Sequence, residues 1–392
     1  MGEIRIKNRS VDLNKVLYTI TLVLILLRKY SISMFGDGTI PTSILSGLFY
    51  GSILLLFIQF IIRKKHNTTE LMLFFIACIL YLFTREGSIL TIILLSISII
   101  DINDDYVVKS YMIITSIFII CSVLFGTFAP DYVRASETHY RIVGSDYVAR
   151  QTFGFGNPNS TFLFILPLYA GYIYFRFDKY NIYDRLILLI TTLFIYSRTM
   201  SRTGVITIIG ILLIVEFLRV IDFKKYKFMA KVFKLSPLIL LVVSLIIAIP
   251  FANNSILNSV LASRPRYWNK YLVTYGNLFT LFGNSYPPDM KINNPLDSSY
   301  IYILAILGVV SLIVFIYILY KGLDIFINKN EKKYLVIVMM FVIYAFAENI
   351  LLEIGYNFTI ILLVKHIIID NTDYFTKKEF LKKIRNLSLI HI

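Results

Sequence analysis

Twelve apolar stretches, each near the length needed to cross a bilayer, follow one another along this 392-residue chain. A span takes about 20 apolar residues, fewer where charged ends snorkel into the headgroups. The stretches fall near 12–28, 40–62, 70–84, 87–100, 110–127, 160–176, 184–197, 203–218, 236–251, 299–320, 333–347 and 350–369. The first, third and fourth are short and read as tilted, re-entrant or interfacial. With 57% hydrophobic residues, 16% charged residues and a mean hydropathy of +0.72, a soluble globule would expose far too much apolar surface. The expected fold class is an all-α polytopic membrane protein, a single integral membrane domain over residues 1–392. Cys78 and Cys121 both lie in apolar stretches, which suggests neither a disulfide nor a thiolate metal site. No small-residue cleavage site follows the first apolar stretch, so it reads as a retained helix.

The formal net charge is +15. In a soluble chain that balance would suggest nucleic acid, but here lysine and arginine sit mainly in short loops, where they set topology, and no nucleic-acid partner is expected. With the N-terminus inside, about two thirds of the 39 lysines and arginines fall on the same side, as the positive-inside rule requires. Both termini then come out cytoplasmic. Two long polar loops, 128–159 and 252–298, fall outside. Asp101, Asp104 and Asp105 cluster inside, and Glu216 lies within reach of Arg219 near a cytoplasmic helix end.

The cations left outside are Arg28, Lys29, Arg85, Arg134, Arg141, Arg150, Arg198, Arg202, Arg264, Arg266, Lys270 and Lys291. Arginine dominates this set, whereas lysine dominates the inner loops. A guanidinium offers phosphate a planar, bidentate fork and an ammonium only a point charge, so the preference points to a phosphate-bearing ligand at the outer leaflet. The turn Tyr196–Gly204 puts Arg198 and Arg202 at the membrane edge, with Ser201 or Thr203 placed to cap the next helix. Snorkelling to lipid phosphates is the alternative. In the second loop Pro265 suits a first helical position and pushes Arg264 into a cap-like conformation. Tyr267, Trp268, Tyr271, Leu272 and Tyr275 then share one face of an amphipathic helix near 265–275, expected on the outer leaflet as a ligand-binding element or a plain interfacial anchor.

In the first loop, aromatic side chains stand beside acids and amides, the combination that sugar rings require for stacking and for hydroxyl hydrogen bonds. His139, the sole histidine of the two long loops, is a candidate base or simply a surface residue. Gly154–Ser160 reads as a turn with an N-cap. Glu348 and Glu353 flank the turn between the last two helices, are candidates for substrate hydroxyl contacts or an acceptor base, and read most simply as a solvated turn. No metal-ligand signature occurs, and no cofactor is expected; arginines can take a metal's place in neutralising a diphosphate leaving group.

Taken in order, Gly156-Asn-Pro-Asn159 before a helix, Ser201-Arg-Thr-Gly204 at a helix start, Arg264 four residues before Trp268, Leu281-Phe-Gly-Asn284, and Asp297-Ser-Ser-Tyr300 entering a helix that reaches Gly308 resemble the O-antigen polymerase and ligase superfamily, the Wzy-type polysaccharide polymerases and their ligase relatives. The resemblance covers about residues 110–320. It implies a GT-C-like, metal-independent glycosyltransferase in a bacterial plasma membrane. Its substrate would be an undecaprenyl-diphosphate-linked oligosaccharide, and a flippase and a chain-length regulator are implied partners. By motif position, Arg202 and Arg264 would bind the diphosphate. The ligases place a histidine where this chain has Asp297, a departure that favours polymerase over ligase.

Three readings follow. The first is a repeat-unit polymerase of capsule, exopolysaccharide or O-antigen. In it Arg202 and Arg264 clamp the departing diphosphate, Arg134, Arg141, Arg150, Arg198 and Arg266 add charge, Trp268, Asn159 and Tyr300 contribute to substrate binding, and Asp297 orients the site or activates the acceptor hydroxyl. The second is a ligase transferring finished glycan to another acceptor. The third is a transporter or flippase of lipid-linked sugars, for which a polar cavity in the bundle or related halves would be diagnostic.

Overall fold

The computed structural model describes residues 3–6, 9–35, 39–133, 139–143, 146–287, 290, 294–371 and 373–376. Arg134 and Lys291 lie outside these residues. The twelve apolar stretches map onto helices, the last of them only from Thr359 on: α1 (Leu13–Phe35), α2 (Thr42–Ile62), α3 (Thr68–Thr84), α4 (Ser88–Ser98), α5 (Asp104–Phe128), α6 (Pro158–Arg176), α7 (Ile182–Thr199), α8 (Arg202–Val220), α9 (Lys227–Ala248) and, beyond the short loop helices α10 (Ser255–Val260) and α11 (Arg264–Asn269), α12 (Ser299–Asn328), α13 (Lys332–Tyr344) and α14 (Thr359–Asp370). Among the described residues six of them, α1, α2, α5, α8, α9 and α12, are long and apolar enough to cross a membrane. The chain is an α-helical membrane protein. Three two-stranded antiparallel ribbons accompany the helices: β1 (Glu3–Ile6) with β2 (Arg9–Asp12), β3 (Lys65–Asn67) with β6 (Tyr374–Thr376), and β4 (His139–Val143) with β5 (Asp146–Arg150).

Packing explains which helices are long. In lipid a helix gains nothing by hiding apolar side chains, so peripheral helices stay apolar on the outside. Ile113, Ile117, Ile120 and Leu124 form such a stripe on α5, and Ile44, Leu54 and Ile61 face outward on α2. The centre of the bundle is built from short helices instead. On α4 every residue from Ile89 to Ile97 is buried, and α13 and α14 are buried almost throughout. A helix apolar all round belongs inside a protein, with no constraint to match the bilayer thickness. The short fourth stretch is a core element packed on α2, α3 and α14. The first stretch is not short at all: α1 runs for 23 residues, because Arg28 and Lys29 lie inside the helix and do not end it.

The last two stretches differ most from expectation. They do not meet at a tight solvated turn. Helix α13 stops at Tyr344 and α14 starts at Thr359, leaving an irregular segment, 345–358, whose side chains are mostly buried. Ser299 pins it: its hydroxyl accepts from the amides of Ile350 (2.8 Å) and Leu351 (3.1 Å) and donates to the Glu348 carbonyl (2.9 Å). Such backbone is tolerated at membrane depth only where protein groups satisfy it.

Charged contacts sort into two ends. At one end the Asp104 carboxylate accepts from Lys365 Nζ (2.6 Å), His366 Nε2 (2.9 Å) and the Tyr334 hydroxyl (2.6 Å). Arg63 meets Glu70 and Asp101 there, Arg185 meets Glu216, and Lys329 meets Asp370. All these groups come from segments assigned to the inside by charge. The aspartate cluster is thus a set of ion pairs tying α5 to α13 and α14. Lys365 is only 5% exposed, so stripping its carboxylate leaves a buried charge unpaired. Asp104→Ala should cost about 3–5 kcal/mol of stability, against at most about 1 kcal/mol for Asp101→Ala at the more exposed pair. Thermal unfolding of the detergent-solubilised protein measures the difference, and equal losses would refute this account of the cluster.

Candidate functional site

At the opposite end Arg264 gathers four segments of the chain. Helix α11 starts at Arg264 itself, after Ser263 in the left-handed region (φ 64°), so Arg264 is helical and Ser263, not Arg264, occupies the cap position. Its Nη1 donates to Thr203 Oγ1 (3.1 Å) in the first turn of α8. Its Nη2 donates both to Glu348 Oε1 (2.9 Å), in the irregular segment, and to Asp297 Oδ2 (3.0 Å), just before α12. The arginine is 6% exposed. A guanidinium so buried must be paired, because desolvating an unpaired charge is prohibitive. Here one cation faces two carboxylates that share one of its nitrogens.

That surplus of negative charge governs the acids. Burial, with the Asp297 charge beside it and Arg264 opposing both, pushes the Glu348 carboxyl up to about 8. Asp297 is also raised, by burial first and against the pull of Arg264. The two differ in access: the side chain of Asp297 is 29% exposed and that of Glu348 is 7% exposed. A pair holding one proton between them matches the single positive charge they surround. Glu348 is the residue that sequence reading undervalued. It is not a solvated turn, and the signal available was an acid inside a long apolar run, which in a membrane is a functional candidate by default.

Around this ion cluster, buried polar atoms are left without partners. Arg264 Nε, Trp268 Nε1, Ser298 Oγ and Asn349 Oδ1 are all of this kind. Each such group costs about 1–3 kcal/mol, and a concentration of them marks a place where stability yields to binding. Trp268 is fully buried, edge-on to Phe346 at 5.8 Å. The apolar face of the amphipathic helix is turned into the protein: Trp268, Tyr271 and Leu272 are buried, the helix continues as a π-turn over Lys270–Thr274, and of that face Tyr275 is the residue left well exposed. Arg266 is exposed on its other face. Tyr300 is fully buried and donates to the Val342 carbonyl (2.9 Å), which makes it a packing residue between α12 and α13.

The remaining arginines form a second group beside α8. Arg202 is the first residue of α8 and is exposed, and Ser201 caps the helix by accepting from the Gly204 amide (3.3 Å). Arg141 and Arg150 project from the β4–β5 ribbon onto the end of α7. Arg141 donates to the Met200 carbonyl, and Arg150 donates to the Thr199 carbonyl (2.7 Å) and to Asn159 Oδ1 (3.0 Å). Burial lowers the pKa of both guanidinium groups; the next cause is Arg202 for Arg141 and Arg141 for Arg150. Three cations crowded enough to repel one another sit next to the turn that supplies Thr203 to Arg264. Arg198 stands apart, its guanidinium 5.9 Å from the Phe194 ring on the exposed face of α7. His139 Nε2 bonds the Gly156 carbonyl (2.8 Å), which fixes the ribbon to the Gly156-Asn-Pro-Asn159 turn. That turn caps α6 through Asn157 and anchors to α1 through the Gly156 amide and the Ser33 carbonyl (2.9 Å).

Two glycines explain the Leu281–Asn284 motif. Gly283 and Gly308 both have positive φ (92° and 84°), and a Cβ on either would collide with the other's strand of backbone. The loop thus lies against the π-turn Ile303–Leu307 of α12, with the Asn284 amide on the Ala305 carbonyl (2.9 Å). Among the described residues no three His, Cys, Asp or Glu side chains converge as a metal site would need. No protein-family model, curated protein or solved structure matches the chain.

The carboxyl of Glu348 sets a pH dependence. Its value in the folded protein lies above the ordinary 4.5, so the folded state holds the proton more tightly, and the stability gained is lost as pH rises through about 8. Between about pH 6 and 9 the melting temperature should fall in the wild type, whereas Glu348→Gln, which mimics the protonated acid, should be nearly flat. Parallel curves for the two proteins would contradict this assignment.

Proposed function

We propose that the protein is a polysaccharide polymerase of the Wzy type, transferring an oligosaccharide from a lipid diphosphate to the end sugar of a second lipid-linked unit. The observation that carries this reading is Arg264, buried between Asp297 and Glu348 and hydrogen-bonded to the start of α8 beside Arg202. One position thereby combines cations for a diphosphate with acids for a hydroxyl. In the transfer, the acceptor oxygen attacks the anomeric carbon as the bond from that carbon to the diphosphate oxygen breaks. The acceptor's proton passes to Asp297, the more accessible acid. Negative charge grows on the departing diphosphate and is met by Arg264 and Arg202, with Arg141 and Arg150 behind them. Glu348, kept protonated near neutral pH, leaves the guanidinium with charge to spare for phosphate.

The same reading seats the helical bundle in a bacterial plasma membrane, with the Asp104 end and both termini cytoplasmic and the Arg264 end outside. No cofactor enters it.

Arg264→Gln and Asp297→Asn should each reduce polymer formation by about 100-fold, with the glycan collapsing to single repeat units on a gel when compared at equal amounts of protein. Lys225→Ala, exposed at the other end, should keep the full ladder. Full-length polymer left unattached in Arg264→Gln cells would indicate a ligase and sink the polymerase reading. Orientation is tested separately in a chain without Cys78 and Cys121. A membrane-impermeant maleimide should label Tyr275→Cys in intact cells and Lys225→Cys only after lysis; the reverse pattern would overturn the sidedness.

A further inference from the structure

A second cationic cavity, of about 380 Å³, opens between α1, α2, the α3–α4 junction and the segment 345–358. That volume lies within the roughly 300–1,000 Å³ usual for small-molecule sites. Its charged lining includes Arg28, Lys29 and Arg85, with Glu86 and Glu353 as the acids. Lys29 is already committed, to Glu353 at 2.8 Å and to the face of Tyr356 at 4.4 Å. Arg28 and Arg85 are not: among the described residues neither forms an ion pair. Arg28 Nε is buried without a hydrogen-bond partner, and the guanidinium sits 5.5 Å from the Phe49 ring, which closes the floor against Gly87. Arg85 ends α3 in the left-handed conformation (φ 58°), where glycine would be cheaper. Holding a bulky side chain there strains the backbone, and the strained turn puts a cation beside the cavity. The helices at the rim present apolar side chains to their surroundings, Tyr50 and Leu82 both being more than half exposed.

Unpaired guanidinium groups at a pocket edged by lipid-facing residues suit an amphiphile with a phosphate headgroup. We propose that this cavity binds the phosphate of a lipid carrier. Resting on the polymerase reading, it holds the diphosphate that remains on the acceptor while Arg264 takes the one that leaves the donor. Two carriers must be held at once in such a reaction, and the structure offers two separate cationic centres at one end of the bundle. The segment 345–358 joins them, supplying Glu348 to one and Glu353 to the other.

The test uses the full chain in maltoside micelles, titrated calorimetrically with farnesyl diphosphate and, in a parallel arm, with inorganic diphosphate. Trp268, the sole tryptophan, reports on the Arg264 centre alone. The wild type should take up two equivalents of farnesyl diphosphate. Arg28→Gln/Arg85→Gln should weaken one of them by at least about tenfold, in keeping with the loss of charge-assisted hydrogen bonds, and leave the Trp268 response intact. Arg28→Lys/Arg85→Lys should recover most of that equivalent, which separates a lost site from a lost fold. Uptake unchanged in stoichiometry and affinity in the glutamine variant overturns the proposal. Inorganic diphosphate filling the pocket as tightly overturns its lipid source. If Arg264→Gln leaves the Trp268 response unaltered while the glutamine pair still loses one equivalent, the donor reading fails and this site stands.

Discussion

One guanidinium holds one end of this protein together. Arg264 reaches from a short loop helix to the start of α8, to the residue that precedes α12 and to the broken segment between α13 and α14. Each of these elements would otherwise end in loose backbone. In a low-dielectric setting the cluster is strong only while complete, since removing one partner leaves charge buried and uncompensated. Burial of two acids around one guanidinium also raises the pKa of both carboxyls. The same interaction therefore fixes the geometry and supplies a group able to change protonation near neutral pH.

The bundle around it reverses the logic of a water-soluble helical protein. Long helices with apolar outer stripes form the rim, and short, uniformly apolar helices fill the middle. Because α13 and α14 need not cross the full hydrocarbon thickness, the chain between them can descend into the protein and bring Glu348 to Arg264. Ion pairs at the Asp104 end hold the opposite ends of α5, α13 and α14 in place. Rigidity at that end leaves irregular backbone concentrated where ligands are expected.

Much of this was legible in the residues. Apolar length located the long helices, because lipid imposes a simple requirement on sequence. Ser201 and Pro158 announced their cap and turn through local backbone chemistry. What failed was the direction in which side chains face. Trp268 and its neighbours have the spacing of an interfacial helix, and the same spacing fits a helix docked on protein; only the partner, Phe346, decides between them. Glu348 was misjudged for a related reason. Its burial depends on the Ser299 hydroxyl gathering amides across about 50 positions of chain, a long-range contact that no local pattern encodes. The β4–β5 ribbon was likewise hidden in a polar loop, its register set by pairing His139 with Arg150.

The segment from Ala345 to Phe358 has a mechanical consequence. Its two acids, five positions apart, are each tied to a different basic residue, Glu348 to Arg264 and Glu353 to Lys29. A ligand that drew Lys29 away from Glu353 would slacken the very strand that positions Glu348. News of occupancy would then travel along one short piece of main chain, as tension does along a cord fastened at both ends, and neither helix beside it would have to shift.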